Sequence, residues 1–133
     1  MNREQRMVLA FHKAAGHLCN QRPTHPSDIP ASETRLRLAL IREEFAELCL
    51  AIDNDDMPEI ADGFADLLYV VYGAALLYGL NMEPLFAEVH RSNMTKITDA
   101  PKYRPDGKLM KPPGWEPPRM QAFLTMLSER SLD

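Results

Sequence analysis

The chain has little cysteine. Cys19 and Cys49 stand thirty residues apart and in no CxxC spacing. This excludes a disulfide framework and points to a reducing compartment. Positive charge is not in excess either: 15 Lys and Arg face 19 Asp and Glu, for a net charge of −4. That balance excludes nucleic-acid binding through overall charge. The N-terminal MNREQRMVLAFHKAAG scatters charge among its apolar residues, so it does not read as a signal peptide. The longest apolar run, Leu67 to Leu80, is interrupted by Gly and Tyr and is too short to cross a bilayer. The expectation is a cytoplasmic protein with no membrane partner. Hydrophobic residues make up 45% of the 133, enough for one domain with a sizeable core.

Periodicity predicts helices and no convincing strand. Arg3 to Cys19 reads as an amphipathic helix with Met7, Val8, Phe11, Ala15 and Leu18 on one side. The proline-rich connector NQRPTHPSDIPAS follows. A second helix is predicted from about Glu33 to Ile52 and a third from Pro58 to about Tyr78, with DNDDMP as the turn between them. Gly79 is the expected stop, and Asn81 the expected cap of a fourth helix from Met82 to about Ile97. A last helix is predicted over roughly Met120 to Arg130. The fold class is therefore all-α, a bundle of four to five helices. It is read as a single domain over 1–133, with its core at about 33–98 and a long proline-rich loop at 99–118.

The acids are placed unusually. In EIADGFADLLYVVYG, Glu59, Asp62 and Asp66 fall within roughly 60° of one helical face. Beyond Asp66 the helix is apolar nearly all round, which implies burial. In REEFAEL on the preceding helix, Glu44 lies inside the apolar arc of Leu40, Ile41, Leu48 and Ala51, Glu47 lies between Leu36 and Leu40, and Glu43 is at the edge. Consecutive helices joined by a short turn pack antiparallel, so the two acidic faces meet. From Glu43 to Asp66 there are nine acids and no Lys or Arg. One acidic helix face is by default solvated, but two facing each other without a cation call for a hard divalent ion, Mg²⁺ first and Mn²⁺ second. Asp53, Asp55 and Asp56 read as turn and capping residues.

The ordered set EExxE, then DLLYVVYG, FAEVHRSNMTK and DGKLMKPPGWEPP, resembles the all-α nucleoside triphosphate pyrophosphohydrolase superfamily over roughly Leu36 to Pro118. That group holds MazG-like enzymes, dimeric dUTPases, dCTP pyrophosphatases and phosphoribosyl-ATP pyrophosphohydrolase. The last two segments are most similar to the MazG-like branch close to dimeric dUTPases. The resemblance implies Mg²⁺ held by EExxE and a following ExxD. Glu43, Glu44 and Glu47 match the first motif, and Asp66 matches the Asp of the second. The Glu three positions before that Asp falls on Gly63, a departure that Asp62, or Glu59 together with Asp62, would make good. The implied reaction cleaves between the α and β phosphates of a nucleoside triphosphate, giving monophosphate and pyrophosphate, in house-cleaning or dUTP removal. The expected metal ligands are Glu44, Glu47, Asp62 and Asp66, and Glu43 or Glu47 is the expected base. Homodimers or homotetramers with shared sites are implied as well.

Arg91 to Lys111 is the opposite pole, with six basic residues against Asp99 and Asp106. Cations there suit phosphate oxygens. Lys96, Lys108 and Lys111 are phosphate candidates, Asn93 a base, sugar or phosphate contact, and Trp115 a stacking or loop-closing residue. The four histidines show no metal spacing, and His90 reads as structural. Three other readings compete. Phosphoribosyl-ATP hydrolysis on the same fold is disfavoured by HRSNMTK and GKLMKPP. A di-iron bundle needs Glu-x-x-His, which these helices lack. A non-catalytic nucleotide-binding module is kept open by Gly63.

Overall fold

A computed structural model describes residues 1–132 and is all-helical: α1 (Arg3–Ala14), a single 3₁₀ turn (Pro26–Asp28), α2 (Ala31–Asp53), α3 (Met57–Leu77), α4 (Met82–Met94) and α5 (Met120–Ser128). The predicted fold class holds. Local signals account for most of the boundaries. The Asn2 side chain accepts the Gln5 N–H at the start of α1, Asp56 accepts the Glu59 N–H at the start of α3, and Asn81 accepts the Glu83 N–H at the start of α4. Gly79, at φ 68°, ends the α3 segment. A side chain there would also run into the Arg22 carbonyl, so no other residue suits the position.

Three expectations need correction. α1 stops at Ala14 rather than Cys19, because Gly16 adopts φ 71° and turns the chain. α4 stops at Met94, where the Thr95 hydroxyl donates to the Ser92 carbonyl instead of continuing the helix. The buried side of α1 is Gln5, Val8, Leu9 and His12, while Met7, Phe11 and Leu18 are exposed. Hydropathy misses that face because half of it is polar. Gln5 is fully buried, donating to the Leu80 carbonyl at 2.7 Å and accepting from the Met82 N–H at 3.0 Å. It ties α1 to the α3–α4 turn, with both the nitrogen and the oxygen of its own amide paired.

α3 packs on α2 along its length and on α1 at its C-terminal half. It is longer than the apolar run within it, and by length and composition alone it would pass for a membrane span. Its last turns, however, form the core with α1: Leu76 packs with Val8 and Leu9, and Leu77 is fully buried. The Asn20 side chain reinforces that end by donating to the Leu77 carbonyl at 2.6 Å.

α4 and α5 form a second packed pair. A buried carboxylate joins them. Glu88, 3% exposed, accepts from Nε and Nη2 of Arg91, both at 2.9 Å, and from the Arg119 backbone N–H at 2.9 Å. These charged donors, Arg91 first, hold its carboxyl well below the usual range. Arg91 also grips Glu116 at 2.8 Å, and the Ser92 hydroxyl donates to the Glu116 carbonyl at 2.7 Å. The long loop between the helices is thereby fastened at its far end to the helix it leaves. It is not structureless: Arg104 N–H donates to Lys108 and Met110 N–H to Lys102 around Gly107 at φ 90°, making a small hairpin.

The imidazole of His12 sits against Gly73 of α3, where an added Cβ would come within 2.8 Å of Nε2. His12 is 3% exposed. Burial, with Arg37 and His17 adding to it, lowers its pKa from 6.5 to about 4. The unfolded chain therefore takes up a proton on His12 below about pH 6.5 while the folded chain does not. Stability should be lost as pH falls from about 6.5 to about 4, on the order of 2 kcal/mol from this residue. Urea unfolding across that window should show the slope, and His12→Asn should flatten it. An unchanged slope in the variant would contradict the assignment.

Candidate functional site

The packing of α2 on α3 fixes what the acids can do. Gly63 is buried against Leu48: a Cβ at 63 would meet the Leu48 Cα, Cβ and Cδ1 at 3.2 Å. The two helices approach closely here. The helices run antiparallel, so three residues on in α3 and four residues back in α2 bring Asp66 level with Glu44. The position where the resemblance calls for a glutamate is thus taken by helix packing, and a side chain there would have to press Leu48 aside by a few tenths of an ångström.

Glu44 is half-buried, and its pKa is raised by that burial first, then by Asp66, Glu47, Glu43 and Asp62. Four carboxylates from two helices therefore converge on a fifth. Glu43, Glu47, Asp62 and Asp66 are themselves exposed. Glu59 is not among the groups that act on Glu44. It lies further along with Glu47 in a shallow hollow of about 190 Å³ that Leu50, Ala51, Asn54 and Asp56 complete. Of the two stand-ins for the missing glutamate, Asp62 is the one next to Glu44. Among the described residues no three His, Cys, Asp or Glu groups are drawn together at metal-ligand spacing. The donor set, all carboxylate oxygen with no cation acting on Glu44, nonetheless has the chemistry of a hard divalent ion's site.

The predicted cationic residues gather elsewhere. Lys96 and Lys111 line a cavity of about 380 Å³ together with Lys102, Met110 and the prolines 101, 112 and 113, with no residue of α2 or α3. Lys102 was not singled out from sequence, although its place in the basic run is the signal for it. Lys96 Nζ donates to the Asn93 side-chain oxygen at 2.7 Å, so these two candidates stand together. Lys111 Nζ lies 4.1 Å over the Trp115 ring, a cation–π contact. Trp115 is half-buried, and its Nε1 has no partner among the described residues. Lys108 is exposed in the hairpin and does not line the cavity. His90, read as structural, is exposed, and His12 is the buried histidine. Sequence reading also missed Arg37, a buried cation on α2.

A family model, Phosphoribosyl-ATP pyrophosphohydrolase, matches residues 8–93, well over half of the chain. That stretch contains every carboxylate of the cluster and ends before the basic cavity. Among curated proteins the chain is similar to "Uncharacterized protein L479" of Acanthamoeba polyphaga mimivirus. The two are 38% identical over 74 residues, covering 55% of this chain and 30% of that protein. The chain thus spans less than a third of that relative's length in the match.

Because the fold favours the protonated form of Glu44, the like-charge cost is present in full at neutral pH and vanishes as pH falls through the carboxylate range. In EDTA at pH 7, Glu44→Gln should therefore melt at a higher temperature than the parent chain, with the gain shrinking towards pH 4. A variant that melts lower in EDTA would show that the acids do not repel one another as described.

Proposed function

The chain belongs to the phosphoribosyl-ATP pyrophosphohydrolase family, a group of nucleotide pyrophosphohydrolases, and on that premise we propose that it hydrolyses a nucleoside triphosphate, dUTP or another (d)NTP, to the monophosphate and pyrophosphate. The observation that carries this reading is the convergence of Glu43, Glu47, Asp62 and Asp66 on half-buried Glu44. The MazG-like character of HRSNMTK and GKLMKPP supports a (d)NTP over phosphoribosyl-ATP. The second of these lies outside the residues the family model covers.

Glu44, Glu47, Asp62 and Asp66 would hold Mg²⁺, or Mn²⁺. Bound there, the metal supplies charge neutralisation for the triphosphate and acidifies a water. The chain's own part is positional. Glu43 and Glu47 are exposed beside the cluster and are the carboxylates able to take the proton of the attacking water. Water adds across the α–β bridge, that bond breaks, and pyrophosphate leaves. Lys96 and Lys111, with Asn93 held by Lys96, present donors to phosphate oxygens, and Lys108 adds charge nearby. Trp115 offers a ring face already used by a cation. Cytoplasmic placement, without nucleic-acid or membrane partners, is part of the same reading.

A homodimer or homotetramer is proposed as well. Leu38, Phe45 and Ile52 form one exposed stripe of α2 at seven-residue spacing, and Met57, Phe64, Leu68 and Val71 form another on α3. Apolar stripes of this length are what a second copy covers. The basic cavity, which no residue of α2 or α3 lines, would then serve the acidic cluster of the neighbouring copy.

Pyrophosphate release should be measured on a panel of canonical and damaged (d)NTPs and phosphoribosyl-ATP with Mg²⁺. The expected result is monophosphate plus pyrophosphate from a (d)NTP, with Asp66→Asn slower by about 100-fold or more. Turnover of phosphoribosyl-ATP alone would move the substrate, and binding without turnover of anything would leave a nucleotide-binding module. In sedimentation, Phe64→Glu should raise the monomer share. A parent chain that is already monomeric at assay concentration would sink the oligomer proposal.

A further inference from the structure

Arg37 is 5% exposed, and among the described residues its Nε and Nη2 have no hydrogen-bond partner. These two atoms form one edge of the guanidinium, the edge that grips an oxyanion through two parallel N–H···O bonds. A buried charge without a partner is costly, and a buried donor without an acceptor calls for an explanation.

Its position supplies one. Arg37 is seven residues before Glu44, so the two share a face of α2 about 10 Å apart along the axis. The same antiparallel register that sets Asp66 level with Glu44 sets Gly73, seven residues further, level with Arg37. His12 lies against Gly73, and His17 lies beside it with ring centroids 4.9 Å apart. The charged and titratable groups that face His12 are Arg37, His17 and the Cys19 thiol, whose Sγ lies 3.7 Å from Nδ1, with no carboxylate among these described groups. One face of the α2–α3 pair therefore changes sign along its length. It is acidic at Glu44 and Asp66, and two turns away it carries the unpartnered guanidinium edge of Arg37 beside the His12 and His17 rings. Together the two ends match a ligand that carries a cation at one end and a bare oxyanion at the other.

We propose that the Nε/Nη2 edge of Arg37 binds a phosphate group of the nucleotide, making Arg37 a substrate-positioning residue of the α2–α3 site. The inference deepens the proposed function and rests on it for the identity of the ligand. It does not rest on it for the existence of an anion site. His12, with His17 against it, stands beside Arg37 and would flank the bound oxyanion.

The test uses the full chain and inorganic tripolyphosphate, which has neither base nor sugar, titrated by calorimetry with and without Mg²⁺. Arg37→Met should weaken binding between about 10- and 100-fold in both conditions, the usual loss for a charge-assisted pair. It should also melt higher than the parent chain without ligand, because an unpaired buried charge has been replaced by an apolar side chain of similar size. Arg37→Lys, which keeps the charge and loses the fork, should fall between the two. It decides the matter if the Met variant does not fold. Unchanged tripolyphosphate affinity in a folded Arg37 variant overturns the proposal. So does a variant that loses oligomer while keeping that affinity, since the fork's partner would then be a carboxylate of a second copy. Arg37-dependent tripolyphosphate binding with no turnover of any nucleotide keeps the anion site and removes the substrate reading. (d)NTP turnover that Arg37→Met leaves unaltered does the reverse.

Discussion

The close approach of α2 and α3 at Gly63 and Leu48 sets everything that matters along this helix pair. A missing side chain lets two backbones draw near, and the antiparallel register follows from that one contact. From the register come the level of Glu44 with Asp66 and, two turns on, of Arg37 with Gly73. A second missing side chain, at Gly73, makes the space that His12 fills. The two glycines do this by closeness, not by unusual backbone conformation, since neither has a positive φ. A close-packed interior transmits such a constraint without slack, so charge placement ten residues away is fixed by apolar contact here.

The electrostatics are sorted by element. Nine acids run from the middle of α2 to the middle of α3 with no cation between them, and Lys96, Lys102 and Lys111 line a cavity after α4 that no residue of α2 or α3 lines. Unlike charges this far apart in one chain do not neutralise each other; at physiological salt they are screened beyond about 8 Å. The polarity is kept available for a ligand that needs both signs. The fold tolerates the acidic side because eight of those nine carboxylates are exposed and Glu44 alone among them is half-buried.

Helix existence and type were legible because caps, stops and apolar periodicity all agree: Asn2, Asp56, Asn81 and Gly79 act locally and need no tertiary knowledge. The candidate carboxylates were legible for a related reason, since Glu44 inside an apolar arc violates the expected pattern. What was hidden depends on partners distant in sequence. Gln5 and His12 look like solvent-facing positions until the Leu80 carbonyl, the Met82 N–H and Gly73 come to meet them. Arg37 carried the same signal as Glu44, a charged residue on the buried side of α2, but among the three arginines of that helix it reads as surface. Gly63 looked like a lost ligand from sequence, and only the distance to Leu48 gives it a packing role. The end of α1 was missed because Gly16 was not weighed as a stop.

One buried carboxylate, Glu88, holds Arg91 on α4 and Arg119 at the threshold of α5, and so closes the chain between them into a hoop. The length of a closed hoop is thermodynamically cheap to change: doubling a flexible loop adds only about 0.6 kcal/mol. Residues can be inserted, deleted or exchanged around the hairpin without loosening its two anchors. Variation in that segment is therefore decoupled from the stability of the helices that carry the acids. A lineage with this arrangement can drift in what its loop recognises while its charge-bearing helices stay under separate and stricter selection.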